Sequence, residues 1–578
     1  MVPTEHTLRL VGVAASDGIA IGPAFHLRPQ RLHVQRREVV DVAGEIVRLG
    51  DARRSARAEL EALQAYVATT VSVAEAEIFE AHLVFLDDPT LFDDVEAYCR
   101  AQRCNVEAAL VAIFDGYKAV LLDSDDELFR ARADDLEDIK RRLLRTLGGE
   151  HDGSALPAEP CVILADDLLP STAVQLDRSR LLGFGLATGG PTSHVAILAR
   201  GLGLPAVVGL GDGLAAVPDG ATLVLDAGAG MLLVDPPEET LQAYQVRVAV
   251  DRERRALERA AARHAARTRD GTTIAVLANL SSLAEAEEAI ACGAEGVGLL
   301  RTELLFMDRA TAPGEDEQLT LYRQIADVLD GRPLVIRTLD IGGDKPVPYL
   351  RQPPEQNPAL GVRGVRLGRS EPELLRAQVR AIWRIGPGRP VKVMFPMVTS
   401  LEEVRWLRSL VAEVGAELRE RGTPTLDRLD VGVMVEVPAL AMLADHVARL
   451  VDFMSIGTND LTQYALAVDR TNAAVSGIGD ALHPAVLRLI AQTVRGARAG
   501  GAEISVCGEL AGSPLGVPLL VGLGVETLSM SPSLIPAAKM AIRELALTQA
   551  RAVAEHALSL ATADEVRHYL ELSARSRS

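Results

Sequence analysis

Eight short apolar runs spread over residues 272–531, each followed by a segment of helical character, constrain this chain more than any other feature. They are TTIAVLA (272–278), GVGLLR (296–301), PLVIRT (333–338), VKVMFP (391–396), VGVMVE (431–436), DFMSIG (452–457), EISVCG (503–508) and ETLSMS (526–531). Runs that are apolar at consecutive positions suit strands buried on both faces, as in a parallel sheet covered by helices. Eight such strands alternating with helices point to a (β/α)8 TIM barrel, in which functional residues sit at the C-terminal strand ends.

The residues before the barrel read as two further patterns. Residues 1–32 and 148–235 carry short β runs punctuated by glycine, such as GIAIGPAFHL, CVILADDL and ATLVLDAG. Residues 33–147 have helical periodicity and dense charge, enough for about four helices, with a stop at Gly148-Gly149. The two β-rich parts are expected to pair, which makes the helical block an insertion into an α/β domain. After Pro236-Pro237 no turn residue occurs until Gly271, so residues 236–268 are expected to form one long linker helix, leaving 269–578 to the barrel. The fold class is therefore multidomain α/β.

Charge and cysteine usage narrow the function. The 578 residues include 60 Lys+Arg against 79 Asp+Glu, a net charge of -19. Such a surface repels nucleic acid and anionic lipid, and suits a basic protein partner better. The five cysteines show no CxxC pair, so neither a disulfide framework nor a structural zinc site is indicated. No run approaches the roughly 18 apolar residues that span a bilayer, and the N-terminus lacks a basic start followed by a long apolar run. The expectation is a reduced, cytoplasmic protein.

Two constellations carry chemistry. In GGPTSHVAILAR (189–200), Thr192 and Ser193 are good N-caps, placing His194 on the first turn of an Ala-rich helix. Backbone N–H groups and the helix dipole favour an anion there, the setting a phosphoryl-carrying histidine needs. A capping turn with an incidental histidine accounts for the same residues. The second constellation lies at the barrel strand ends: Arg301, Glu303, Arg337, Asp340, Lys345, Arg363, Glu436, Asn459, Asp460, Arg470 and Cys507. Several arginines on one barrel face imply a small polyanionic substrate, because guanidinium forks bind carboxylate and phosphate bidentately. Hard carboxylates beside them, completed by substrate oxygens and water, suit Mg²⁺. Cys507 reads either as a buried structural thiol or, from its place at the mouth, as a proton donor.

These motifs resemble a known family. GVGLLRTELLFMDR, RTLDIGGDKP and SIGTNDLTQYALAVDR, together with the inserted helical block, are similar to enzyme I of the bacterial phosphoenolpyruvate-dependent sugar phosphotransferase system. The GGxTSH segment is shared more widely, with pyruvate phosphate dikinase and phosphoenolpyruvate synthase. The resemblance implies that His194 is the phosphorylated nucleophile of a swivelling α/β domain. It implies further that Arg301, Arg337, Arg363, Asn459 and Arg470 bind phosphoenolpyruvate, that Glu436 and Asp460 ligate Mg²⁺, and that Cys507 protonates the enolpyruvate carbon. The helical block would dock the phosphocarrier protein HPr, with Glu75, Glu77, Glu80, His82, Asp87 and Asp88 as an acidic stretch suited to a basic carrier. The barrel would form a homodimer. Pro191, Ala173 and Val195 depart from the residues usual in this family around the histidine.

Rival readings are an ATP-dependent dikinase, a specialised regulatory paralogue and a sensor that binds phosphoenolpyruvate without catalysis. No GxxxxGK[ST] loop is present for the first, and no extra sensor domain is visible for the second. His194, Cys507, Glu436 and Asp460 together speak against the third.

Overall fold

Two strands that lie side by side in the first sheet are separated in sequence by the whole helical block. In the computed structural model, β3 (Ile19–His26) pairs in parallel with β4 (Cys161–Ala165) through Ala24↔Val162 and its neighbours. The structure describes residues 8–27, 34–70, 78–122, 127–148, 157, 159–168, 172–173, 176–190, 193–307, 309, 311–342, 347, 349–350, 355–470, 472, 475 and 477–575. They fall into two units, Met1–Asp251 and Arg252–Ser578.

The sheet of the first unit also contains β1 (Leu8–Val11), β2 (Val13–Ser16), β5 (Leu181–Leu186), β6 (Ala206–Val208), β7 (Thr222–Asp226) and β8 (Met231–Val234). Its strand order is β1-β8-β7-β3-β4-β5-β6-β2, so the N-terminal strands are woven among those that follow the helices. The helical block contains, among the described residues, α1 (Val42–Thr70), α2 (Ile78–Asp87), α3 (Pro89–Gln102), α4 (Val106–Leu122) and α5 (Glu127–Gly148). That is one more helix than the periodicity suggests. The break falls at Asp88-Pro89, where the Asp88 carboxylate accepts from the Thr90 and Leu91 N–H groups and Pro89 opens α3. His82, read from the sequence as part of an acidic surface, is instead fully buried, with Nε2 3.1 Å from Asp135 Oδ1. It lies on the apolar face of α2 beside Phe79, whose ring meets it edge-on at 5.8 Å. Asp87 remains exposed, whereas Glu75 and Glu77 lie outside the described residues.

Helix α6 (His194–Leu202) and α7 (Glu238–Ala261) complete the helices that matter here. The linker helix α7 stops short of Gly271. Its last carbonyls are taken from far along the chain: Ala262 O accepts from Lys539 Nζ at 3.0 Å and Ala261 O from Arg543 Nη2 at 2.7 Å. The chain then turns into β9 (Ala266–Arg267), antiparallel to the start of the barrel.

All eight expected barrel strands are present: β10 (Thr273–Leu280), β11 (Val297–Leu300), β12 (Leu334–Arg337), β13 (Val391–Phe395), β14 (Asp430–Val435), β15 (Phe453–Ile456), β16 (Glu503–Val506) and β17 (Thr527–Met530). Every neighbouring pair is parallel, and β10 pairs with both β11 and β17, which closes the barrel. Leu299, Val335, Met394, Met434, Phe453 and Cys507 fill its interior. Each large apolar side chain fully buried this way contributes about 1.5–3 kcal/mol relative to exposure. This packed interior leaves the C-terminal mouth as a rigid rim for polar side chains.

Candidate active site

The mouth of the barrel encloses a cavity of about 250 Å³. Eight of the nine residues to which the family resemblance gives a role line it: Arg301, Arg337, Arg363, Glu436, Asn459, Asp460, Arg470 and Cys507. They converge because each ends a parallel strand or lies in the connection that leaves its C-terminal end, and parallel strands of a barrel all end on the same rim. The ninth, His194, belongs to the first unit. It is the first residue of α6, capped by Ser193, whose Oγ accepts from Ala196 N at 3.4 Å. Pro191, Thr192 and Lys345 lie outside the described residues.

The arginines are held by carboxylates that the sequence reading noticed without giving them a role. Arg337 Nη2 donates to Glu303 Oε1 at 2.8 Å, and its Nη1 lies 3.4 Å from Asp340 Oδ2. Arg363 grips Asp340 with two bonds, Nη2 to Oδ2 at 2.9 Å and Nε to Oδ1 at 3.2 Å. Burial opposes the charge on both guanidiniums, but the carboxylates outweigh it and hold both above the ordinary arginine value. Asp460 Oδ1 lies 3.6 Å from Arg363 and 3.8 Å from Arg470, while Arg301 and Arg470 stand more open to solvent. Arg337 is therefore an electrostatic keystone: its loss would leave buried Glu303 without its guanidinium partner, while Asp340 would keep only its pairing with Arg363. An Arg337→Met variant is expected to lose about 3–5 kcal/mol of barrel stability, measured by urea unfolding. A loss below 1 kcal/mol would show that solvent or other groups already compensate Glu303.

Glu436 is fully buried and held from one side only. Met397 adopts a left-handed backbone (φ 59°), which turns its N–H onto Glu436 Oε1 at 2.6 Å. The other oxygen, Oε2, and Asp460 Oδ1 are both buried without a hydrogen-bond partner. Burial, followed by repulsion from Asp460 and Asp340, pushes the Glu436 carboxyl up to about 8, against the pull of Arg337 and the Met397 amide. Burial also pushes the Cys507 thiol up, so the sulfur keeps its proton. Asn459 and Glu509 bond reciprocally, Nδ2 to Oε1 at 3.1 Å and Glu509 N to Asn459 Oδ1 at 3.0 Å. Between them, Gly508 is forced: a Cβ there would stand 1.9 Å from Thr458 Oγ1.

Sequence reasoning missed the apolar floor, Leu299 and Met434. The signal was available, since each precedes a chosen polar residue by two positions and strand alternation puts both on the same face. It also missed Tyr464, whose hydroxyl accepts from Arg363 Nη1 at 3.3 Å. Four guanidiniums thus face five carboxylates around an apolar floor; the guanidinium forks can take the oxygens of a small anion, and the excess of carboxylates leaves room for a cation beside it.

Fold and site together define an enzyme that takes a small polyanion at a barrel mouth and carries a separate histidine-bearing α/β domain. Family models of the PEP-utilising enzymes match along the chain: the N-terminal domain over residues 11–132, the mobile domain over 157–230 and the PEP-binding domain over 255–547. The chain is 40% identical to the phosphoenolpyruvate-protein phosphotransferase of Geobacillus stearothermophilus over 96% of both chains. It is 36% identical to that of Bacillus subtilis (strain 168) over 96% of this chain and 98% of the relative. The multiphosphoryl transfer protein of Rhodobacter capsulatus is 43% identical over 96% of this chain and 67% of that longer one. A solved structure titled as an NMR solution structure of Enzyme I (nEIt) shares 32% identity over 42% of this chain and 99% of its own, at a TM-score of 0.36. The chain belongs to the PEP-utilising enzyme family and, within it, to the phosphoenolpyruvate–protein phosphotransferases.

Proposed function

We propose that this chain transfers the phosphoryl group of phosphoenolpyruvate to its own His194 and then to a histidine of the phosphocarrier protein HPr, releasing pyruvate as the first step of sugar uptake. The observation that carries the reading is the convergence of Arg337, Arg363, Glu436, Asp460 and Cys507 in one cavity. Arg301, Arg337, Arg363 and Arg470, with Asn459, bind the phosphate and carboxylate of the substrate. A His194 ring nitrogen attacks phosphorus as the bond from phosphorus to the enol oxygen breaks. The enolate takes a proton at its methylene carbon from Cys507 Sγ, giving pyruvate, and the thiolate regains a proton from water. Positioning and charge compensation do most of the catalytic work in such a transfer.

The residues fit Mg²⁺. Glu436 Oε2 and Asp460 Oδ1 are two hard oxygens without a hydrogen-bond partner in the same cavity, and Mg²⁺ is typically bound by one or two carboxylates plus substrate oxygens and water. When bound, the cation neutralises charge on the substrate oxygens.

His194 and the cavity belong to separate units, so the histidine-bearing domain must reach the barrel mouth during turnover; residues 236–268 are the natural hinge. Residues 1–32 and 148–235 form the phosphohistidine domain. Residues 33–147 dock HPr, with exposed Asp87 in the contact, and 269–578 bind substrate and form a homodimer. No described helix is long and apolar enough to cross a membrane, and we place the protein in the cytoplasm. Intact-protein mass after incubation with phosphoenolpyruvate and Mg²⁺ tests the reading. One phosphoryl group is expected per chain, lost in mild acid and not formed when the cation is chelated. No adduct under these conditions overturns it.

A further inference from the structure

Asn279 ends the inward-facing side of β10 and has no part in binding the substrate as described. Its side-chain amide nevertheless bridges two distant strands at the barrel mouth. Nδ2 donates to Cys507 O at 2.9 Å and reaches Ser529 O at 3.4 Å, while Oδ1 accepts from Ser529 Oγ at 2.6 Å. Both backbone oxygens are acceptors only, so the nitrogen of the amide must face them and its orientation is fixed by the network. Ser529 is fully buried on β17, and Gly298 on β11 leaves the room it needs: a Cβ on Gly298 would lie 2.6 Å from Ser529 Oγ.

The consequence falls on Cys507. Its N–H donates to Ile456 O at 3.0 Å, and its carbonyl is taken by Asn279. The next residue, Gly508, is wedged against Thr458. The Cys507 backbone is thereby held on both sides, which fixes the direction of its Cα–Cβ bond, and the thiol on it lies 3.7 Å from Ile456 O. We propose that Asn279, oriented by Ser529, is a positioning residue that aims the Cys507 thiol at the methylene carbon of the enolate. This inference rests on Cys507 being the proton donor of the proposed reaction. The donor step breaks the S–H bond and forms a C–H bond, leaving a thiolate that water reprotonates. A thiol aimed from one side delivers its proton to one face of the enolate only, whereas solvent delivers it to both.

The test uses the full-length chain and phosphoenolpyruvate stereospecifically labelled with deuterium and tritium at the methylene carbon, with the chirality of the pyruvate methyl group as readout. The parent protein is expected to give chiral pyruvate. Asn279→Ala and Asn279→Asp are expected to give largely racemic product and to lower kcat by about tenfold to a hundredfold, as misplacement of a reacting group does. KM for phosphoenolpyruvate is expected to stay within about twofold, because no substrate-binding side chain moves. Ser529→Ala frees the amide to turn and is expected to show the same defect in weaker form. A structural role alone would lower stability without touching product chirality, so chiral pyruvate from folded Asn279→Ala and Asn279→Asp overturns the proposal. Cys507→Ala separates this from the reading beneath it. If that variant too gives chiral pyruvate, Cys507 is not the donor; if it alone gives racemic pyruvate, Cys507 stands and Asn279 falls.

Discussion

A His194→Ala variant is expected to take up no acid-labile phosphate from phosphoenolpyruvate, while its barrel still binds the substrate. The expected loss is complete rather than graded, because the covalent carrier proposed here has no substitute once its nucleophile is gone. Residue 194 is the first of α6, with Ser193 as the cap and Gly203 in the left-handed region closing the other end. Alanine fits that position, so the helix and its domain stay folded. The positive end of a helix is where a phosphate dianion gains most from backbone N–H groups and the dipole, which is what favours the proposed carrier role for a histidine placed there. Two measurements on the full chain check this. Intact mass shows no adduct, and thermal unfolding of the barrel still shifts upward with phosphoenolpyruvate and Mg²⁺, since ligand binding to the folded state raises its stability by mass action. An acid-labile adduct that survives the substitution would assign the carrier to another histidine. Fully buried His82 would be a poor one, being out of reach of any substrate.

The barrel mouth was legible because parallel strands are apolar along their length, so the first charged residue after each run marks its end. That rule found Arg301, Arg337, Glu436 and Asp460, and it needed only the strand pattern. What holds these residues was not legible. Asn279, Cys507 and Ser529 meet across 228 and 250 residues of sequence, and no local signal announces such a bond. The left-handed backbone of Met397 is equally hidden, since nothing in FPMV marks a methionine for a positive φ. The end of α7 illustrates the same limit. Local sequence runs helical toward Gly271, but Lys539 and Arg543, more than 270 residues away, bind the carbonyls at its last turn and release the chain into β9. His82 failed for a different reason. A run of acidic residues was read as one face, whereas helical spacing turns residue 82 inward beside Phe79 and toward Asp135. Linear charge runs do not respect the 3.6-residue period; strand ends need no such correction.

Glu436→Gln should inactivate the enzyme and, without metal, stabilise it in alkaline solution. The two effects have one cause. The Glu436 carboxyl is shifted from 4.5 to about 8 by burial and by Asp460 and Asp340, so the folded protein holds this proton more tightly than the unfolded chain does. Its contribution to stability is therefore undiminished below pH 4.5, declines as pH rises toward 8 and levels off above it, with a slope of at most about 1.4 kcal/mol per pH unit. Glutamine cannot ionise, so it removes the decline. It also retains the oxygen that accepts from Met397 N, and the conserved shape keeps the cavity intact. Urea unfolding of the metal-free proteins is expected to rank the variant above the parent at pH 8.5 and to bring the two together at pH 5. Adding Mg²⁺ is expected to reverse the order at pH 8.5, because a carboxylate oxygen of Glu436 would, as proposed, be satisfied by the cation and the variant lacks that charge. Phosphoryl transfer from phosphoenolpyruvate falls about a thousandfold in the variant, corresponding to the several kcal/mol that a bound cation contributes to stabilising transition-state charge. A variant that is less stable than the parent at pH 8.5 without metal would mean that Glu436 is paired by a charge other than Arg337. A variant that keeps its Mg²⁺-dependent rate would move the cation to other ligands, leaving Glu436 as a buried acid held neutral between Asp460 and Asp340.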